Sequence, residues 1–151
     1  RGQQLVSGKR RNDAVSRRGR IHPGQFFDFG AGLGFAVATG KADFIGRDAV
    51  LRKQDAGLDR RMVQFRLTDP EPLLFHNEAV VRDGKIVGPV TSGNYGHFLG
   101  GAVGLGYVPC KGESAAEVLA SSYEIEVAGV RHRAVASLEP MYDPKAARVR
   151  G

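Results

Sequence analysis

With 151 residues, 42% of them apolar, and a net charge of +6, the chain has material for one domain with a real core, which excludes a disordered or fibrous protein. No apolar run approaches the roughly 20 residues of a membrane-spanning helix, so no membrane partner is expected. Cys110 is the single cysteine; no intrachain disulfide can form, and a reducing compartment is expected, the cytoplasm or, in a eukaryote, the mitochondrial matrix.

The location of the charge matters more than its sum. Residues 1–20 hold seven basic side chains against Asp13 alone, while residues 21–151 carry equal numbers of acids and bases. The basic excess belongs to the tail, and no nucleic-acid-binding face is expected on the neutral body.

Residues 1–24, rich in Arg, Gly, Ser and Gln, read as a basic, poorly ordered tail. The chain starts at Arg1, as a processed product or a piece of a longer protein would. Residues 25–57 read as a lead-in strand and a linking helix. Phe26, Phe27 and Phe29 open the apolar part, and Leu33, Phe35 and Val37 follow with the period of a half-buried strand. Gly46–Gly57 predicts a short helix with Asp48 in its first turn, Gly57 as its stop, and Phe44, Ile45 and Val50 as its anchors.

Residues 58–151 read as a C-terminal β-barrel domain. Val63, Phe65 and Leu67 alternate with Met62, Gln64 and Arg66, which puts Arg61 on the inward parity. Asp69-Pro70-Glu71-Pro72 is a loop. Asp83-Gly84 predicts a tight hairpin turn with Val81 across from Ile86 and Val80 across from Val87. Ala128-Gly129 predicts a second, pairing Glu126 with Arg131 and Glu124 with Arg133, while Ile125, His132 and Val130 face inward. The segment Gly88–Pro109 holds a further pair of strands. In its second half Val103, Leu105 and Tyr107 share one face, and the opposite face carries only Ala102, Gly104 and Gly106. A strand with one bare face implies the close approach of another element, as in a tightly curved barrel wall. The expected fold is all-β: a small antiparallel barrel of six or seven strands, one short helix and the basic tail.

Little chemistry is visible. Gly30-Ala31-Gly32 lacks the third glycine of a dinucleotide fingerprint, because position 35 is Phe. His22, His76, His97 and His132 have no metal-ligand spacing, so no metal is expected. Ser92 and Ser114 lack an assignable base. His97, beside Asn94 and Tyr95 in the glycine-rich loop, forms a polar aromatic cluster suited either to a ligand edge or to capping a barrel end.

Asp43-Phe44-Ile45-Gly46-Arg47-Asp48-Ala49-Val50, Thr91-Ser92-Gly93 and Leu105-Gly106-Tyr107-Val108-Pro109 occur in this order. Over residues 30–150 the chain thereby resembles the C-terminal part of the glycine cleavage T-protein (aminomethyltransferase) superfamily. Asn94-Tyr95-Gly96-His97 and the ending Glu139-Pro140-Met141-Tyr142-Asp143-Pro144 look more like its sarcosine and dimethylglycine dehydrogenase branch. The resemblance implies tetrahydrofolate as cofactor, with FAD and the amine-oxidising chemistry in upstream flavin and folate domains of the same polypeptide. It also implies a small-molecule amine substrate and a chain that is inactive alone. Arg61 is the position for a basic partner of the folate, and Asn94, Tyr95 and His97 are the other candidate contacts. The alternatives are the C-terminal domain of an aminomethyltransferase or of a non-catalytic folate-binding protein. An RNA-binding barrel with a basic tail is the third reading, and it lacks a stacking pair on a basic face.

Overall fold

The computed structural model describes residues 29–150; the expectations for residues 1–28 lie outside it. Six strands, β1 (Arg60–Leu67), β2 (Ala79–Arg82), β3 (Lys85–Gly96), β4 (Gly101–Pro109), β5 (Tyr123–Val127) and β6 (Val130–Ser137), close into an antiparallel barrel in the order β1-β4-β3-β2-β5-β6. Strands β2 to β4 are joined in succession, while β1 returns beside β4 by a long loop, which is a Greek-key connection. Closure leaves no unpaired strand edge.

The alternation of β1 places Val63, Phe65 and Leu67 wholly inside. They meet Val80, Val90, Ala102, Val108, Ile125 and Tyr123 from the other walls. Leu74, from the loop between β1 and β2, plugs one end, and Val118 covers the core from a helix. Among the described residues every buried side chain is apolar. Each large one stabilises the fold by about 1.5–3 kcal/mol relative to exposure.

The bare face of β4 turns toward this core. A Cβ on Gly104 would lie 3.1 Å from Val90 and 3.2 Å from Leu74, and one on Gly106 would lie 3.0 Å from the Pro89 carbonyl and 3.3 Å from Phe65. At Gly93 the added carbon would come within 2.6 Å of Leu74. Small residues therefore let a plug and an aromatic ring fill a narrow barrel.

Both hairpin turns form as expected, with φ of 50° and 79° at Asp83 and Gly84, and 50° and 81° at Ala128 and Gly129. The β5–β6 register matches residue for residue. On β2, however, a bulge after Val80 sets it opposite Gly88 rather than Val87, while Val81 keeps Ile86. Val130 is 57% exposed and not inward, because β6 outruns the covered part of the barrel.

Helix α1 (Arg47–Ala56) starts from Gly46 and stops at Gly57, as the glycines predict. Val50 is the buried residue of the helix itself, but Ile45 is fully exposed and anchors nothing within the described residues. The expected strand at 33–37 is absent; two 3-10 turns, Phe29–Ala31 and Gly34–Ala36, stand there instead. A closed barrel has no free edge to pair such a segment. A second helix, α2 (Ala115–Ala120), was not expected. Ser114 and Glu117 cap it reciprocally, Glu117 N–H donating to Ser114 Oγ (3.2 Å) and Ser114 N–H to Glu117 Oε2 (2.7 Å). Ser114 is thus an N-cap. A short last turn, α3 (Ala147–Arg150), ends the described chain.

Candidate functional site

The interior is filled, so any site lies at the barrel ends. The sequence-predicted residues divide between them. Arg61 pairs with Val108 at the start of β1, whereas Asn94 lies opposite Val103, which faces Arg66. Five residues of strand separate the two levels, about 16 Å. The structure does not bring Arg61 together with Asn94, Tyr95 and His97.

At the Arg61 end, the inward parity leads the guanidinium toward Cys110. Arg61 Nε is buried and has no hydrogen-bond partner among the described residues, a costly state for a polar donor. The Cys110 thiol is 2% exposed and lies 3.5 Å from the Leu58 carbonyl. Burial pushes the thiol up from its ordinary value, against the opposing charge of Arg61. The same end is clamped by Arg82. Its Nε donates to Ser121 Oγ (2.8 Å), Nη1 to the Pro109 carbonyl (3.0 Å) and Nη2 to Glu113 Oε2 (2.6 Å). The Glu113 bond raises the Arg82 pKa. Neighbouring Asp83 accepts from Ser122 N–H (2.8 Å) and hydroxyl (3.2 Å), which holds its carboxyl below the usual carboxylate range. These contacts tie the β2–β3 turn to the segment that carries α2 across the barrel, a structural assignment for all five side chains.

At the other end, Tyr95 and His97 form an edge-to-face pair, centroids 5.2 Å apart at 64°. Asn94 Oδ1 accepts from Tyr95 N–H (2.8 Å), which turns its carboxamide back on its own backbone. Beyond them Phe98, 75% exposed, stacks on Tyr142 at 4.9 Å and 27°. Arg148 lies over both rings, 5.6 and 5.8 Å from the centroids, and donates to the Tyr142 hydroxyl (3.1 Å). Asp143 fixes that arginine by accepting from the N–H groups of Ala147 (2.8 Å) and Arg148 (3.1 Å). Gln64 Oε1 accepts from Met141 N–H (2.7 Å) and Arg66 donates to the Leu99 carbonyl (3.2 Å), so β1 braces both walls. A cleft of about 290 Å³ runs between them, lined in part by Gln64, His97, Phe98, Met141 and Tyr142. Phe98, Tyr142 and Arg148 were missed as candidate residues. The signals available were an exposed aromatic, Phe98, among glycines and the local Asp143 cap, but the two are distant from each other in sequence.

His132, expected as a packed core residue, is only partly buried, and its Nδ1 lies 3.3 Å from Asp69 Oδ2. Among the described residues no cluster of metal ligands occurs, and no helix is long and apolar enough to cross a membrane.

Comparison with known proteins bears on this arrangement. Residues 60–143 match the family described as the glycine cleavage T-protein C-terminal barrel domain. The chain is 40% identical over 124 residues to a formaldehyde-forming 4-methylaminobutanoate oxidase of Paenarthrobacter nicotinovorans, covering 82% of this chain and 14% of that protein. It is 34% identical over 125 residues to the mitochondrial sarcosine dehydrogenase of Homo sapiens, covering 80% of this chain and 14% of that one. A crystal structure of the glycine cleavage system aminomethyltransferase T from Bartonella henselae superimposes with a TM-score of 0.58 at 29% identity, over 72% of this chain and 30% of that chain. The chain thus spans 14% of the length of the first two relatives and 30% of the third. It belongs to the glycine cleavage T-protein C-terminal barrel family.

Proposed function

We propose that this barrel is the non-catalytic closing module of a folate-dependent one-carbon enzyme of the sarcosine and dimethylglycine dehydrogenase kind. Upstream domains of the same polypeptide hold FAD, tetrahydrofolate and the small amine substrate. The carrying observation is the match to two amine-oxidising relatives, of each of which the chain spans 14%, joined to a barrel whose interior is packed with side chains and so has no room for a substrate. The barrel acts from its ends. Arg61, with its buried and unpartnered Nε, is the donor suited to an anionic group of the folate. Asn94, Tyr95 and His97 stand at the opposite rim and would meet a different part of the ligand or the neighbouring domain.

The test has two arms. The isolated chain should turn over neither sarcosine nor dimethylglycine with FAD and tetrahydrofolate added; formaldehyde or methylenetetrahydrofolate production would contradict the reading. In the intact polypeptide, Arg61→Ala should weaken tetrahydrofolate binding at least tenfold, and an unchanged affinity removes Arg61 from the site. A second reading, an aminomethyltransferase without flavin, draws support from a 36% identity over 115 residues to a probable aminomethyltransferase of Pyrococcus abyssi. The flavin absorbance of the intact polypeptide separates the two.

A further inference from the structure

The stretch between the 3-10 turns and β1 is built to present apolar surface. Arg47 Nε donates to the Lys41 carbonyl (3.2 Å) and Arg47 N–H to the Phe44 carbonyl (3.1 Å), while Gly46 takes φ of 87°. This turn fixes Ile45, which is fully exposed, at its tip. Beside it opens a cleft of about 530 Å³ lined by Ala36, Val37, Phe44, Ile45, Ala49 and Val50. Single exposed apolar residues are ordinary, whereas a concave contiguous group held in a rigid turn marks a contact surface.

We propose that this arm, residues 33–53, is the seat on which the preceding domain of the same polypeptide docks, with Ile45 as its anchor. The inference rests on the reading of the chain as the closing module of a longer enzyme. Two observations choose that occupant over a second copy. The barrel family covers residues 60–143 only, yet relatives align over 113 to 125 residues, so the arm is shared with them although it is no part of the barrel. Those relatives are several times longer than this chain.

The oxidase of Paenarthrobacter nicotinovorans, expressed whole with its matching 124 residues replaced by those of this chain, provides the test. Trypsin cleavage after Lys41, Arg47, Arg52 and Lys53 is compared in the chimera and in the isolated chain. Cleavage in the chimera is expected to be at least tenfold slower. Ile45→Asp should abolish that protection while leaving the melting temperature of the isolated chain unchanged, and Ile86→Asp, on the exposed β2–β3 hairpin, should leave protection intact. Equal cleavage rates in chimera and isolated chain overturn the proposal. So does a dimer of the isolated chain that Ile45→Asp dissociates in sedimentation, and so does an arm-bearing chimera that fails to fold where one carrying only residues 58–143 folds. Cleavage is read without activity or folate, so a protected arm beside formaldehyde or methylenetetrahydrofolate production by the isolated chain would sink the functional reading alone.

Discussion

The barrel and the arm that precedes it share one chain and obey opposite rules. In the barrel Val63, Phe65, Leu67, Val80, Val90, Val108 and Ile125 reach full burial, and the strand glycines Gly93, Gly104 and Gly106 stand where neighbours crowd in. In the arm the glycines have open space around them, and no neighbour among the described residues covers Ile45. The contrast teaches that one region is complete in itself, while the other carries its apolar residues for something outside it.

The sharpest way to break that comparison is at the plug. Leu74 is 1% exposed and hemmed in by Gly93 and Gly104, so Leu74→Ala leaves a cavity that cannot collapse. It should cost about 3–4 kcal/mol, read as a fall in calorimetric melting temperature of at least about 12 °C. Gly93→Ala should cost about 1–3 kcal/mol by overpacking, and much less in the Leu74→Ala background; strict additivity would show that the plug is not seated as described. Next comes the clamp: Arg82→Ala removes three hydrogen bonds from a side chain 12% exposed, and a loss of about 1–3 kcal/mol in urea unfolding is expected.

A smaller effect is one of pH. The carboxyl of Asp83 is depressed by the Ser122 backbone N–H, so its contribution is present above the usual carboxylate range and is lost as pH falls from there through its depressed folded-state value. Asp83→Asn should flatten the acid limb of stability against pH, and an unchanged slope would remove Asp83 from the linkage. Smallest of all, Ile45→Ser should leave the isolated chain within about 0.5 kcal/mol of the parent. A larger loss would mean that the arm is not a separate region.

Local rules made much of the barrel legible. The alternation of β1, the Asp83-Gly84 and Ala128-Gly129 turns and the bare face of β4 are written in neighbouring residues. The bulge after Val80 was not, since it depends on how β3 curves against β4 as well as β2. The segment from Leu33 to Val37 has the period of a strand, but a strand also needs a partner edge, and that is a property of the whole sheet. For α2 the sequence did carry the signal, Ser114 three residues before Glu117, although the segment is short enough to pass for a turn. The candidate site fared worst. Parity put Arg61 inward and spacing grouped Asn94, Tyr95 and His97, yet neither says which end of a barrel a residue occupies. The stack of Phe98, Tyr142 and Arg148 joins positions more than forty residues apart, beyond any local rule.

The strand order also sets a timetable. Within the barrel β1 is hydrogen-bonded only to β4 and β6, so the first of the six strands to be made has no partner until β4 emerges. Leu67 pairs with Ala134, and at roughly 5–20 residues per second that partner arrives about 3–13 s later. Val63 and Phe65 gain β4 as a neighbour earlier, at Gly106 and Gly104, but the side of β1 that meets β6 stays open through that interval, which makes the newborn barrel dependent on late closure and most prone to aggregate before β6 is complete.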